Sequence, residues 1–198
     1  MRRLVIVLLL AGCAATTPAP APRLAAPPAN PALAQELLGM LQEDREVRQR
    51  WIKDQQNEAL REEVRALTKK HVARLDEIVA AHGWPGKTLL GDGQESAAWT
   101  IAQHGGHEFL ERMLPLMYDA VIKRELDESL YATSLDRVLI RRGMKQMYGT
   151  QFDVDAATGK CQPLPIENPE QVEERRKRAG MDPLADYTKE LCAMYLQK

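Results

Sequence analysis

Four histidines, three cysteines and a short run of hydrogen-bonding side chains carry the chemistry open to this 198-residue chain. His104 stands foremost. It continues the apolar face marked by Ala97 and Ile101, and it falls at the carboxyl end of its expected helix, where the dipole favours a protonated ring. A histidine so placed can hold or move a proton, or can be a buried ring satisfied by one neighbour. Gln103 precedes it. Asp136 and Arg137 belong to a later helix, and Gln146, Tyr148, Thr150 and Gln151 surround Gly149 at the start of a strand, where a glycine signals close backbone approach or a bulge. In a regular strand, Gln146, Tyr148 and Thr150 point to one side and Gln151 to the other. Buried separately, such groups would each need a partner, at about 1–3 kcal/mol for every one left unsatisfied. They are therefore expected to converge on one polar cleft, with His104 within hydrogen-bonding reach of Tyr148 and Gln151.

Other motifs fall short. Gly83 to Thr88 looks like a phosphate loop, but only Trp84 and Pro85 separate glycines that the pattern spaces by four residues. His104, His107 and Glu111 have helical spacing for a metal, yet Gly105 and Gly106 interrupt the helix that would align them, so no metal site is assigned. No nucleophile elbow, zinc-protease helix or dinucleotide fingerprint occurs, and no cofactor is expected. Cys161 and Cys192 form an even pair that a disulfide-permitting compartment would join, stabilising by about 3 kcal/mol.

The amino terminus gives the compartment. Arg2 and Arg3 precede the apolar run Leu4 to Ala11, which fits an export signal and is too short to span a bilayer. Leu10, Ala11, Gly12 and Cys13 resemble a bacterial lipobox, so residues 1–12 are read as a signal peptide and Cys13 as the lipid-attachment site. Several acyl chains, such as palmitate, anchor durably because each buried CH2 contributes about 0.8 kcal/mol. Ala14, not the aspartate of an inner-membrane retention signal, points to the outer membrane, with the domain facing the periplasm. Six prolines among alanines between Thr16 and Pro31 then form an extended spacer, completing a tether over residues 13–32. The formal charge of -1, which becomes -3 once Arg2 and Arg3 are removed, argues against nucleic acid as a partner.

One domain, residues 33–198, must position the candidate residues. Apolar residues recur at helical spacing from Leu33 to Val47 and from Val64 to Ile78, predicting two helices turning near Asn57 or one bent helix, stopped at Gly83 and Pro85. Asp92 with Glu95 makes a capping-box start for the helix ending at His104. Further helices are expected over about 107–126 and 130–142. Tyr148 to Val154 and Lys160 to Ile166 flank turn residues 155–159, predicting one hairpin. Asn168 before Pro169, and Asp182 before Pro183, start two closing helices, and Arg175 to Arg178 read as cations complementing the dipole of the first. The fold class is thus mainly α, a helical bundle-like domain with one β-hairpin near the C-terminal third.

Taken together, His82-Gly83-Trp84-Pro85, Gly91, Ala98-Trp99, Gln103-His104, Leu135-Asp136-Arg137-Val138, Gln146, Tyr148-Gly149-Thr150-Gln151, Pro165-Ile166-Glu167, Pro169, Arg175-Arg176 and Gly180 resemble the bacterial family called domain of unknown function 6624. The likeness spans about Leu33 to Tyr195, with Asn168 where an acidic residue is expected, and it implies no activity. Three functions remain: a module binding a small polar or anionic ligand, a hydrolase or transferase using His104 as acid or base with Arg137 neutralising charge, or a scaffold lipoprotein whose polar residues tie the hairpin to the helices.

Overall fold

The computed structural model describes residues 27–155 and 157–196. The signal peptide, Cys13 and most of the expected tether lie outside the described residues. Ahead of the first helix, the Ala29 and Asn30 amides donate to the Thr88 and Leu89 carbonyls. Asn30 caps α1 (Pro31–Lys53) by accepting from the Leu33 amide, with Pro31 in the first turn, so the helix begins two residues before the expected boundary. The break at Asp54 to Asn57 separates two helices. Asn57 caps α2 (Glu58–His82), which ends at Gly83 with φ +72.

A single-turn helix, α3 (Lys87–Leu90), precedes α4 (Glu95–His104). The expected capping box does not form. Gln94 holds the cap position without a side-chain bond, and Glu95 turns inward at 2% exposure, 3.8 Å from Lys87 Nζ. Helix α5 (His107–Ile122) ends earlier than expected because Lys123 to Glu125 turn to meet α3, where the Lys87 amide donates to the Glu125 carbonyl. Helix α6 covers Glu128–Arg141.

The core lies among these helices. Leu37, Leu75, Ile101, Leu110, Met117 and Val138 are nearly or completely buried in one apolar cluster. Helix α1 packs on α2 and α4, and α5 packs on α6. That cluster ends at Val138. Beyond it, β1 (Phe152–Asp155) and β2 (Lys160–Pro163) form one antiparallel hairpin, Phe152 opposite Pro163 and Asp155 opposite Lys160. Both strands are shorter than expected: the amides of Tyr148, Thr150 and Gln151 donate to the Asp136 and Gln146 side chains, and Gln151 keeps one main-chain bond, accepting from the Leu164 amide. Asn168 adopts a left-handed conformation, φ 44, and makes no side-chain cap; a 3-10 turn at Pro169–Gln171 leads into α7 (Val172–Arg178). The last helix is α8 (Leu184–Leu196), none of whose residues is fully buried.

Candidate functional site

The polar residues singled out from the sequence fall into two groups. The first closes on Asp136, which is fully buried on the inner face of α6. Its carboxylate accepts from the amides of Met147 at 2.7 Å, Tyr148 at 3.1 Å and Thr150 at 3.0 Å, and from the Thr150 hydroxyl at 3.0 Å. Burial pushes its carboxyl above the ordinary range, and these donors oppose that push. Since every neighbour is a donor, the ionised carboxylate is the form the geometry fits. Gln146, also fully buried, closes the loop from the other side: Nε2 donates to the carbonyls of Gln151 and Leu164, and Oε1 accepts from the Gln151 amide. Gln151 returns a bond to the Thr150 hydroxyl at 3.1 Å. Tyr148 enters through its main chain. Gly149 takes φ +75, a conformation that favours glycine, and a Cβ there would lie 2.8 Å from Leu184 Cδ1 and displace that side chain.

Two arginines complete this clamp. Arg175 donates to the Met147 and Glu167 carbonyls, while Arg176 donates to the Tyr148 and Asp182 carbonyls at 2.7 Å and stacks 4.9 Å over the Tyr187 ring. Burial pushes the Arg176 guanidinium below its usual value. These two side chains are buried and hold the loop, a use beyond the expected complement to the helix dipole, while Lys177 and Arg178 are exposed. Cys161 and Cys192 are bonded, with Cα atoms 5.7 Å apart, and fasten α8 to β2. Gln103 and Arg137 sit between the two groups. The Gln103 amide donates to Ser134 Oγ, and Arg137 donates to the Gln103 carbonyl at 3.3 Å. Burial also pushes the Arg137 guanidinium down, with the neighbouring Arg141 charge adding to that effect.

His104 belongs to the second group and makes no bond to Tyr148 or Gln151 among the described residues. Its Nδ1 meets Asp44 Oδ2 at 2.7 Å, joining α4 to α1. Asp44 is buried, and its other oxygen accepts from Arg48 Nε at 2.9 Å; Arg48 Nη2 donates in turn to Thr68 Oγ1 on α2. Burial alone would raise the Asp44 carboxyl, but His104 and Arg48 outweigh it and hold the group below its ordinary value. An ionised Asp44 requires the proton on Nδ1, which leaves Nε2 to accept from a ligand in the neutral ring and to donate in the protonated one. The Gly105–Gly106 turn allows this placement. A Cβ at Gly105 would lie 2.7 Å from Val72 and 2.8 Å from Phe109, and Gly106 has φ +91.

About a third of the His104 side chain is exposed, and it faces a groove of about 630 Å³ lined also by Arg48, Val64, Lys69, Val72 and Gly105. That size lies within the range of about 300–1,000 Å³ for small-molecule sites. His107 pairs instead with Glu111 at 3.1 Å, and no group of three metal-ligating side chains gathers among the described residues. Sequence reasoning missed Asp44 and Arg48, although one signal existed: Asp44 occupies the inward stripe set by Leu37, Leu41 and Val47, with a cation four residues on.

The geometry defines a small helical domain with a polar-clamped C-terminal hairpin and a basic groove between its first helices. The model of a family of unknown function (DUF6624) matches residues 31–198, and the chain belongs to that family. No curated protein and no solved structure matches it.

Proposed function

We propose that the chain is an outer-membrane lipoprotein, acylated at Cys13 and facing the periplasm, whose helical domain binds a small anionic ligand in the groove between α1, α2 and α4. The observation that carries the ligand reading is the His104–Asp44 pair. A buried carboxylate fixes one face of an imidazole whose other face meets a groove bordered by Arg48, Arg65 and Lys69. The clamp around Asp136 supports a structural use of the hairpin residues, because Asp136, Gln146 and Thr150 are spent on one another and on the main chain and Tyr148 joins through its amide and carbonyl. The lipobox supports the address.

Labelled palmitate incorporation should occur in the wild type and vanish in Cys13→Ser; unlabelled wild-type protein would overturn the anchor. Native mass spectrometry of protein purified from its own envelope should show a small anion that His104→Ala, checked as folded by its circular dichroism spectrum, fails to retain. Equal retention by both proteins, or none by either, would overturn the ligand site.

A further inference from the structure

We infer that the groove takes a single-chain carboxylate: an acyl chain with one anionic head. This rests on the ligand reading above and narrows it to one chemical class. Charge accounting sets the head. Arg48 is neutralised by Asp44, and Arg65 pairs with Glu58 and Glu62, whereas Lys69 has no acidic partner among the described residues. Lys69 thus supplies a cation at the groove rim for an anionic head. His104, held on Nδ1 by Asp44, turns Nε2 away from that carboxylate and can donate from it only in the protonated ring, which adds positive charge beside Lys69.

The walls set the tail. Val64, Val72 and Ala73 line the groove on the α2 side, beside Arg65 and Lys69. Val72, Gly105 and Gly106 also border an adjoining depression of about 540 Å³ whose far side is polar, lined by His107, Glu108 and Arg112, with the Arg112 guanidinium over the buried Phe109 ring. The apolar path runs from the cationic rim along Val64, Val72 and Ala73 to the Gly105–Gly106 turn, where no side chain intervenes. A small hydrophilic anion leaves these apolar walls uncovered; an acyl chain covers them and removes its own surface from water.

The test uses the chain from residue 13 onward with Cys13→Ser, which retains every described residue, and titrates it with decanoate, decanol and acetate by calorimetry. Decanoate should bind at least tenfold more tightly than either. Lys69→Met should erase the preference for decanoate over decanol, and Val72→Ser should weaken decanoate severalfold with an unchanged circular dichroism spectrum. Acetate binding as tightly as decanoate would overturn the acyl proposal while leaving an anion site in place. Decanol matching decanoate, or no binding by any probe, would overturn it as well. Retention of a different anion in the native mass spectrum would then keep the ligand reading standing alone.

Discussion

Truncating Asp136 to alanine removes the one acceptor shared by four donors: the amides of Met147, Tyr148 and Thr150, and the Thr150 hydroxyl. Met147 and Tyr148 are half-buried and can turn partly to water, whereas Thr150 is buried, so its amide and hydroxyl are stranded. Each stranded donor costs about 1–3 kcal/mol. With the weaker losses at Met147 and Tyr148 added, Asp136→Ala should destabilise by about 3–5 kcal/mol, at the upper end for a single substitution. For a protein of ordinary total stability, about 5–15 kcal/mol, this is a large fraction. Urea unfolding followed by circular dichroism reads the loss directly: with a slope of about 1–3 kcal/mol per molar, the midpoint should fall by more than about 1 M. Amide hydrogen exchange at Met147 and Thr150 should accelerate in the same variant. A loss below about 1 kcal/mol, with exchange at those amides unchanged, would refute the clamp as the source of order in residues 146–151.

The same geometry sets the remaining expectations. Gly105→Ala should cost about 1–3 kcal/mol in thermal unfolding, because its Cβ would press on Val72 and Phe109, and a neutral result would mean the α4–α5 turn gives way freely. Replacing Cys161 and Cys192 together with serine should lower stability by about 2–4 kcal/mol and increase proteolysis within α8 first, as limited digestion with mass mapping would read. Asp44 has a lowered carboxyl in the folded protein, so its contribution is full above the unfolded value of about 3.9 and is lost as pH falls through the folded value. Asp44→Asn should therefore flatten the dependence of stability on pH below about 4, measured by urea midpoints at successive pH values; an unchanged slope would remove the His104–Asp44–Arg48 linkage as its cause.

The helices were legible because apolar residues three and four apart mark a buried stripe whatever lies across from it, and Asn57 and Gly83 act locally as cap and stop. The hairpin was legible from its turn residues. Its beginning was not: the amides of Tyr148, Thr150 and Gln151 go to the Asp136 and Gln146 side chains, and no local pattern distinguishes an amide destined for a side chain from one destined for a strand. The candidate site shows the same limit. His104 could be picked out from its face and its place at a helix end, but its partner lies 60 residues earlier in the chain. Spacing carries no distance over such a separation. The expectation that all the polar residues meet in one cleft treated Gln103 and His104 as a unit, whereas successive helical positions point about 100° apart, one toward Ser134 and the other toward Asp44.

The apolar cluster stops at Val138, and the C-terminal segment is held by a carboxylate, two guanidinium groups and one covalent bridge, with smaller apolar contacts at Val172, Ala179 and the Phe152–Tyr187 ring pair. Two kinds of cohesion thus share a single chain. A segment ordered by a few directional bonds opens at lower free energy than one ordered by extensive burial. Residues 144–196 should behave as a separate foldon, exchanging their amides through sub-global openings while the helices around Leu37 and Leu75 stay closed. The bridge keeps α8 and the hairpin together during such excursions, so the unit that detaches is small and already half assembled for its return.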